Sequence, residues 1–164
     1  MKATGIVRRL DDLGRLVIPK EIRKQYRLKE GDSIEFFIDN GRIVIQKFDA
    51  MSKHMEEIEI MCSTLHAMYQ NTVMFIQEEW LHKKEIVLKE SFLEDCHIHR
   101  KRVFEPRQVY EKDPKEYGGI IYPINAYGDW YGAFVVLFDK KELTQEETYA
   151  LEAFVQLLSR QQQE

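Results

Sequence analysis

Lys2–Arg27 reads KATGIVRRLDDLGRLVIPKEIRKQYR. Ala3–Leu10, with Ile6 and Val7, has the composition of a short strand. Asp11-Asp12-Leu13-Gly14 reads as a turn, with Gly14 free to take a positive φ. Arg15–Ile18 reads as a second strand, rich in β-formers. Pro19 ends that strand and suits the first turn of a helix over Lys20–Tyr26, where Ile22 and Tyr26 share a face. The stretch holds eight Lys/Arg against three Asp/Glu. So few residues cannot bury a core of their own. The expectation is a unit that folds by pairing with a second copy and turns a basic face towards a polyanion, nucleic acid first.

Working outward, Glu30-Gly31-Asp32 is a turn, Ser33–Ile38 a strand and Arg42–Phe48 its return, joined at Asn40-Gly41, which favours a type I′ hairpin. Asp49–Ser52 reads as a domain boundary without a Pro/Gly-rich linker. Ala50–Gln70 follows as a helix whose stripe runs Met51, Met55, Ile58, Met61/Cys62, Leu65 and Met68/Tyr69. Thr72–Ile76 and Glu85–Leu88 read as strands, Ser91–Arg102 as a helix, and Val103–Tyr117 as polar and irregular, with Pro106 and Pro114. Gly119–Asn125 and Trp130–Phe138 are strong strands around the turn Ala126-Tyr127-Gly128-Asp129. Thr144–Gln162 is a terminal helix opened by a capping box, Thr144 with Glu147. The whole predicts an α+β chain of two domains, 1–50 and 51–164, the second a single sheet with helices packed against it.

Charge divides along the same boundary. The chain has 164 residues and a formal net charge of −4. Residues 1–50 carry eleven Lys/Arg and eight Asp/Glu, leaving thirteen and twenty to the rest. A basic module is joined to an acidic one. No apolar run approaches the roughly 20 residues that span a bilayer. MKATGIVRR lacks the apolar core of a secretory signal. Two cysteines, Cys62 and Cys96, make no disulfide framework, so a cytoplasmic protein with reduced thiols and no membrane contact is expected.

The text TGIVRRLDDLGRLVIPKEIRK, the LKEGD at Leu28–Asp32 and the strand pair around Asn40-Gly41 closely resemble the AbrB family of bacterial transition-state regulators. The D-x-L-G-R-x-x-I-P-x-E-I-R string at Asp11–Arg23 is highly specific for that swapped-hairpin fold. The resemblance implies that two copies interleave their strands into one dimeric barrel and bind double-stranded DNA with a shared basic face. Carried over by position, the DNA-binding residues are Arg8, Arg9, Arg15, Lys20, Arg23 and Lys24. Lys24 stands where arginine is common, which keeps the charge and loses the planar fork. Residues 51–164 are similar to a GAF-like domain ending in a long helix, best at YPINAYGDWYGAFVVLFD (122–139) and poorly across 77–117. That implies a sensor or oligomerisation domain, a tetramer through 51–164, and modulation by a small ligand of unknown identity.

Cys96-His97-Ile98-His99, with Cys62 and His66 four apart, invites a metal reading. The spacing matches no known finger or knuckle, and histidines beside the basic run Arg100–Arg102 are the simpler account. No phosphate-cradling glycine loop is present. The expectation is no metal, no cofactor and no enzymatic activity. Trp80, Phe92, Phe104, Tyr110, Tyr117, Tyr122, Trp130, Tyr131 and Phe134 could line a pocket or fill a core, and core is favoured. The alternative function is the antitoxin of a toxin–antitoxin pair, since some antitoxins share the N-terminal fold; such proteins end in a short disordered tail, which 51–164 does not resemble.

Overall fold

Pro19 fixes where the first helix starts. Its ring presets φ, and its missing N–H costs nothing at a helix N-terminus. In the computed structural model, which describes residues 4–162, Pro19 is the N-cap of α1 (Lys20–Gln25). Glu21 lies in the first turn and Arg23 and Lys24 in the last, each where the helix dipole favours its charge. The chain divides into two units, Met1–Asp49 and Ala50–Glu164.

In the first unit, β1 (Ile34–Asp39) and β2 (Arg42–Lys47) form an antiparallel hairpin. Asn40 and Gly41 take φ of 48° and 75°, the left-handed pair that a type I′ turn requires. This turn sets Phe36 opposite Ile45, Phe37 opposite Val44 and Ile38 opposite Ile43. The strands expected at Ala3–Leu10 and Arg15–Ile18 are absent from residues 4–18, and Ala3 lies outside the described residues. A strand exists only as part of a ladder, and among the described residues the sheet of this unit contains β1 and β2 alone. No described residue of the unit is buried. Phe36, Ile38 and Ile43 are 69%, 78% and 72% exposed.

The second unit has a conventional interior. A single 3₁₀ turn at Ser52–His54 leads into α2 (Met55–Tyr69), which buries Met55, Ile58, Cys62, Leu65 and Tyr69 along one stripe. Then come β3 (Thr72–Ile76), α3 (Glu78–Lys83), α4 (Glu90–Cys96), β4 (Arg102–Gln108), β5 (Glu116–Ala126), β6 (Asp129–Leu137) and α5 (Gln145–Gln161). The sheet is antiparallel with order β3-β6-β5-β4. Ala133 to Leu137 are buried without a break, as in a central strand covered on both faces. Helix α5 packs on β5, and α2 packs on β3 and α5. Gly119 is required where the Phe104 ring crosses β5: a Cβ there would stand 2.7 Å from Phe104 Cζ and 2.3 Å from the Val136 carbonyl oxygen.

Residues 77–117 depart from the sequence reading. Val103–Tyr117 is not irregular: it contains most of β4 and the start of β5. Pro106 hid β4, yet β4 is an edge strand and Pro106 falls at the register shift between Phe104 and Arg107, where a missing N–H breaks no ladder. The helix expected over Ser91–Arg102 stops at Cys96. Glu85–Leu88 contributes only the isolated bridge from Leu88 to Tyr110. Helix α3 was not anticipated; the Gln77 side chain caps it by accepting the Trp80 N–H at 2.8 Å.

Asn71, fully buried between α2 and β3, ties that turn to the segment that follows β6. Its Nδ2 donates to the Lys141 carbonyl at 2.8 Å, and its Oδ1 accepts the Lys140 and Lys141 N–H groups at 3.0 and 3.2 Å. Beside it Asp139 accepts the Thr72 N–H at 3.0 Å and the Thr72 hydroxyl at 2.6 Å. The Tyr69 hydroxyl donates to the Glu147 carbonyl, inside the Thr144–Glu147 capping box that opens α5. A buried polar cluster with every member satisfied fixes one arrangement of the elements it joins. Among the described residues no helix is long and apolar enough to cross a membrane.

Both cysteines are free and buried. Burial, with Glu59 adding to it, pushes the Cys62 thiol from 9.0 to about 12. Burial, with Asp95 adding to it, does the same for Cys96. Both folded values lie above the unfolded value, so their contribution to stability is complete below about pH 9 and is lost as pH rises towards 12. Iodoacetamide at about pH 8 should therefore leave both thiols unmodified in the native protein and alkylate both in urea; rapid native labelling, read by mass spectrometry, would contradict the burial. Phe134 is fully buried and meets Phe75 edge-on at 5.1 Å. Phe134→Ala should cost about 3–5 kcal/mol in denaturant unfolding of the second unit.

Candidate nucleic-acid interface

The Asp11–Arg15 turn is organised by one carboxylate. Asp11 Oδ1 accepts the Leu13 N–H at 3.0 Å and the Arg15 N–H at 2.8 Å. Its Oδ2 accepts Arg15 Nε–H at 2.6 Å. The Asp11 carbonyl takes the Gly14 N–H at 3.1 Å, and the Asp11 N–H donates to the Arg15 carbonyl at 3.2 Å. Gly14, at φ 73°, supplies the left-handed step that closes the turn. The Arg15 N–H and then the Arg15 guanidinium hold the Asp11 carboxyl below the usual carboxylate range. A lowered folded pKa means that the ionised turn persists above the ordinary value and loosens only as pH falls through the lowered one.

The six basic residues named from sequence are all exposed. Arg9 lies two positions before the turn, and Arg15 closes it. Lys20, Arg23 and Lys24 project from α1 at i, i+3 and i+4. Arg8 donates from Nη1 to the Val7 carbonyl at 3.1 Å. Arg23 stands beside the Lys29–Asp32 turn. No salt bridge among the described residues engages Arg8, Arg9, Lys20, Arg23 or Lys24. Asp32, an acid nearby, is committed elsewhere. Burial pushes the Asp32 carboxyl up, but the Lys29 N–H at 2.7 Å and Lys47 Nζ at 3.2 Å outweigh it and hold the group below its ordinary value. Five cations are thus left with their charge available to an external anion.

An apolar groove of about 510 Å³ opens in the same unit, with Ile6, Leu16, Ile18, Ile22, Ile34 and Ile45 in its walls and Arg8 and Lys47 also lining it. These residues come from the extended segment, α1 and both strands of the hairpin. No described residue of the unit fills it. The residue sequence reasoning passed over is Asp11, counted there only as an acid in a turn; its signal was Asp-x-x-Gly-Arg, an Asx-type turn with an arginine four residues on.

The second unit gathers no comparable chemistry. Cys96 is buried. The His97 ring stacks on Trp130 at 4.0 Å, with Nδ1 2.9 Å from the Leu93 carbonyl. His99 uses its backbone carbonyl to accept from Asn125 Nδ2 at 3.1 Å. Among the described residues no three His, Cys, Asp or Glu side chains converge as a metal site. Of the nine aromatic residues weighed as pocket or core, Trp80, Phe92, Phe104, Tyr122 and Phe134 are buried.

Comparison with known proteins agrees with this division. A family model described as "Antidote-toxin recognition MazE, bacterial antitoxin" matches residues 7–49. Transition state regulatory protein AbrB and putative transition state regulator Abh, both of Bacillus subtilis (strain 168), are each 46% identical over 48 residues, 29% of this chain and 50% and 52% of theirs. The solution structure of the N-domain of the transcription factor AbrB shares 45% identity over 30% of this chain and 94% of its own, with a TM-score of 0.29. Stage V sporulation protein T of the same organism is 33% identical over an alignment of 180 residues that takes in the whole of both chains. A match of that extent settles kinship across both units: the chain belongs to the AbrB family of transcriptional regulators, and its likeness to stage V sporulation protein T runs over its whole length.

Proposed function

We propose that this protein is a non-enzymatic, cytoplasmic regulator that binds double-stranded DNA as a homodimer of its first unit and is held as a homotetramer by its second. One observation carries the reading. The first unit exposes an apolar groove and an apolar hairpin face, yet none of its described residues is buried, while five of its cations make no salt bridge among the described residues. Only a partner that fills the groove makes such a unit stable, and a second copy offers the matching strands. Dimerisation doubles the basic set Arg8, Arg9, Arg15, Lys20, Arg23 and Lys24. Lys and Arg against phosphates release counterions, and arginine can also read guanine edges.

The second unit serves assembly. Tyr149, Ala153 and Leu157 recur at i, i+4 and i+8 on α5 and stay exposed, the spacing of a helix–helix seam. Burial of five of the nine aromatics favours packing over a ligand pocket, so the GAF-like likeness is read here as a scaffold for assembly. The antitoxin description attached to residues 7–49 supports a second reading, in which the chain neutralises a toxin. The packed second unit argues against it, because toxin capture by that fold relies on an unstructured tail.

Arg15→Ala and Arg23→Ala should each weaken binding to duplex DNA at least about tenfold in a gel shift, with circular dichroism unchanged; normal binding by both would remove the site assignment, and co-purification of a small toxin would move the function to the second reading. In light scattering of the full chain, Leu16→Asp should abolish pairing of the first unit and expose its surface to proteolysis. Leu157→Glu should reduce a tetramer to a dimer that still binds DNA.

A further inference from the structure

Arginine can present its guanidinium side-on, through Nε and one Nη, or end-on, through the two Nη atoms. In Arg15 that choice is already made. Asp11 Oδ2 holds Nε at 2.6 Å, so the side-on edge is occupied and the end-on pair remains. The same carboxylate fixes the backbone beneath the side chain, through the Leu13 and Arg15 N–H groups. The Arg15 side chain is still 71% exposed, against 36% for Asp11. An exposed arginine ordinarily surrenders several rotatable bonds on meeting a ligand. Here the anchor restricts much of that freedom beforehand.

We propose that Asp11 is a positioning residue for DNA recognition: it presents the end-on fork of Arg15 to a pair of acceptors on the duplex. Two acceptor pairs have the required chemistry, O6 and N7 of a guanine and two oxygens of one phosphate. The inference rests on the DNA-binding reading above. Its distinguishing feature is the sign of the effect. Asp11 is an anion at the face that meets a polyanion, so removing its charge should strengthen binding if charge were all that mattered. Positioning requires the opposite.

The test uses the full chain and a duplex recovered by selection from a random-sequence pool, with an unrelated duplex as control. Asp11→Asn is the informative variant, because its side-chain oxygen still accepts the Leu13 and Arg15 N–H groups, so the turn survives while the charged anchor of Nε is lost. Affinity for the selected duplex should fall about tenfold. In an Arg15→Ala background the same change should cause no further loss. A loss confined to the selected duplex assigns the fork to a guanine edge. A loss on both duplexes, with the salt dependence shallower by about one ion, assigns it to a phosphate. Unchanged or tighter binding by Asp11→Asn overturns the proposal, as does an equal loss with and without Arg15. Failure of the unsubstituted chain to bind any duplex overturns the DNA reading itself. In that case the Arg15 Nε–H resonance, expected downfield and slow to exchange only when Asp11 is present, shows whether the anchor exists apart from DNA.

Discussion

The first unit cannot bury its own apolar surface, and the rest of the molecule follows from that constraint. Its hairpin alternates so that Ile34, Phe36, Ile38, Ile43 and Ile45 fall on one face, while Glu35, Asp39, Arg42 and Gln46 flank Phe37 and Val44 on the other. A slip of one residue would send the apolar set to the opposite face. Asn40-Gly41 prevents the slip, because only a two-residue type I′ turn matches the twist of both strands at that register. One dipeptide therefore decides which surface seeks a partner. Burying a side chain of this kind is worth about 1.5–3 kcal/mol. In the proposed dimer, several such side chains on each copy would outweigh the entropy of association only when both copies contribute, which would make folding of the unit and its pairing one event.

Charge obeys a parallel economy. Two acids of the first unit, Asp11 and Asp32, build turns, and of the basic face they engage Arg15 alone. Asp11 closes the turn before the second extended run, and Asp32 closes the turn before β1 while reaching Lys47 on β2. Both carboxylates are satisfied locally, and no salt bridge among the described residues engages Lys20, Arg23 or Lys24 on a helix of only six residues. Net charge over the whole chain is negative, yet the proposed DNA-binding face would be set by this local arrangement. A fully exposed ion pair contributes little to stability; the value of Asp11 to Arg15 lies in direction.

Much of this was legible from the residues. Helix α1, the Asn40-Gly41 hairpin, the stripe on α2, the β5–β6 pair and the capping box of α5 were all readable, because each rests on a local rule: a proline, a left-handed turn, a period near 3.6, an alternating apolar run. The six basic positions came from a family string, and the structure shows them exposed, five of them outside any salt bridge among the described residues. What escaped notice depends on neighbours distant in sequence. Strand β4 was hidden because Pro106 counts as a breaker unless the strand is known to lie at a sheet edge. The extended runs on either side of Asp11 read as strands because their composition is right, but a ladder needs a second backbone that one chain does not supply. Asp11 is the exception, since its partner is four residues away: it reads as a turn former, and the Asp-x-x-Gly-Arg spacing is the local signal that puts Arg15 within its reach.

The connection between units gives assembly a route to DNA affinity. Strand β2 ends at Lys47 and the next element begins at Ser52, leaving four residues between them. Fully extended, those residues reach only about 13 Å. In the proposed tetramer, second units that hold copies together would confine the first units to a small volume. Pairing of the groove-bearing units then depends on an effective concentration in the millimolar range, far above that of free chains. The same confinement would bring two basic faces to one duplex, so the second contact forms without a second diffusional encounter. A short joint also limits which spacings of DNA sites both faces can reach at once, since a pair of sites beyond that reach gains nothing from the assembly. Selectivity would then have two sources of different range: the fork of Arg15, which acts over one acceptor pair, and the second unit, which acts over the distance between sites without touching DNA.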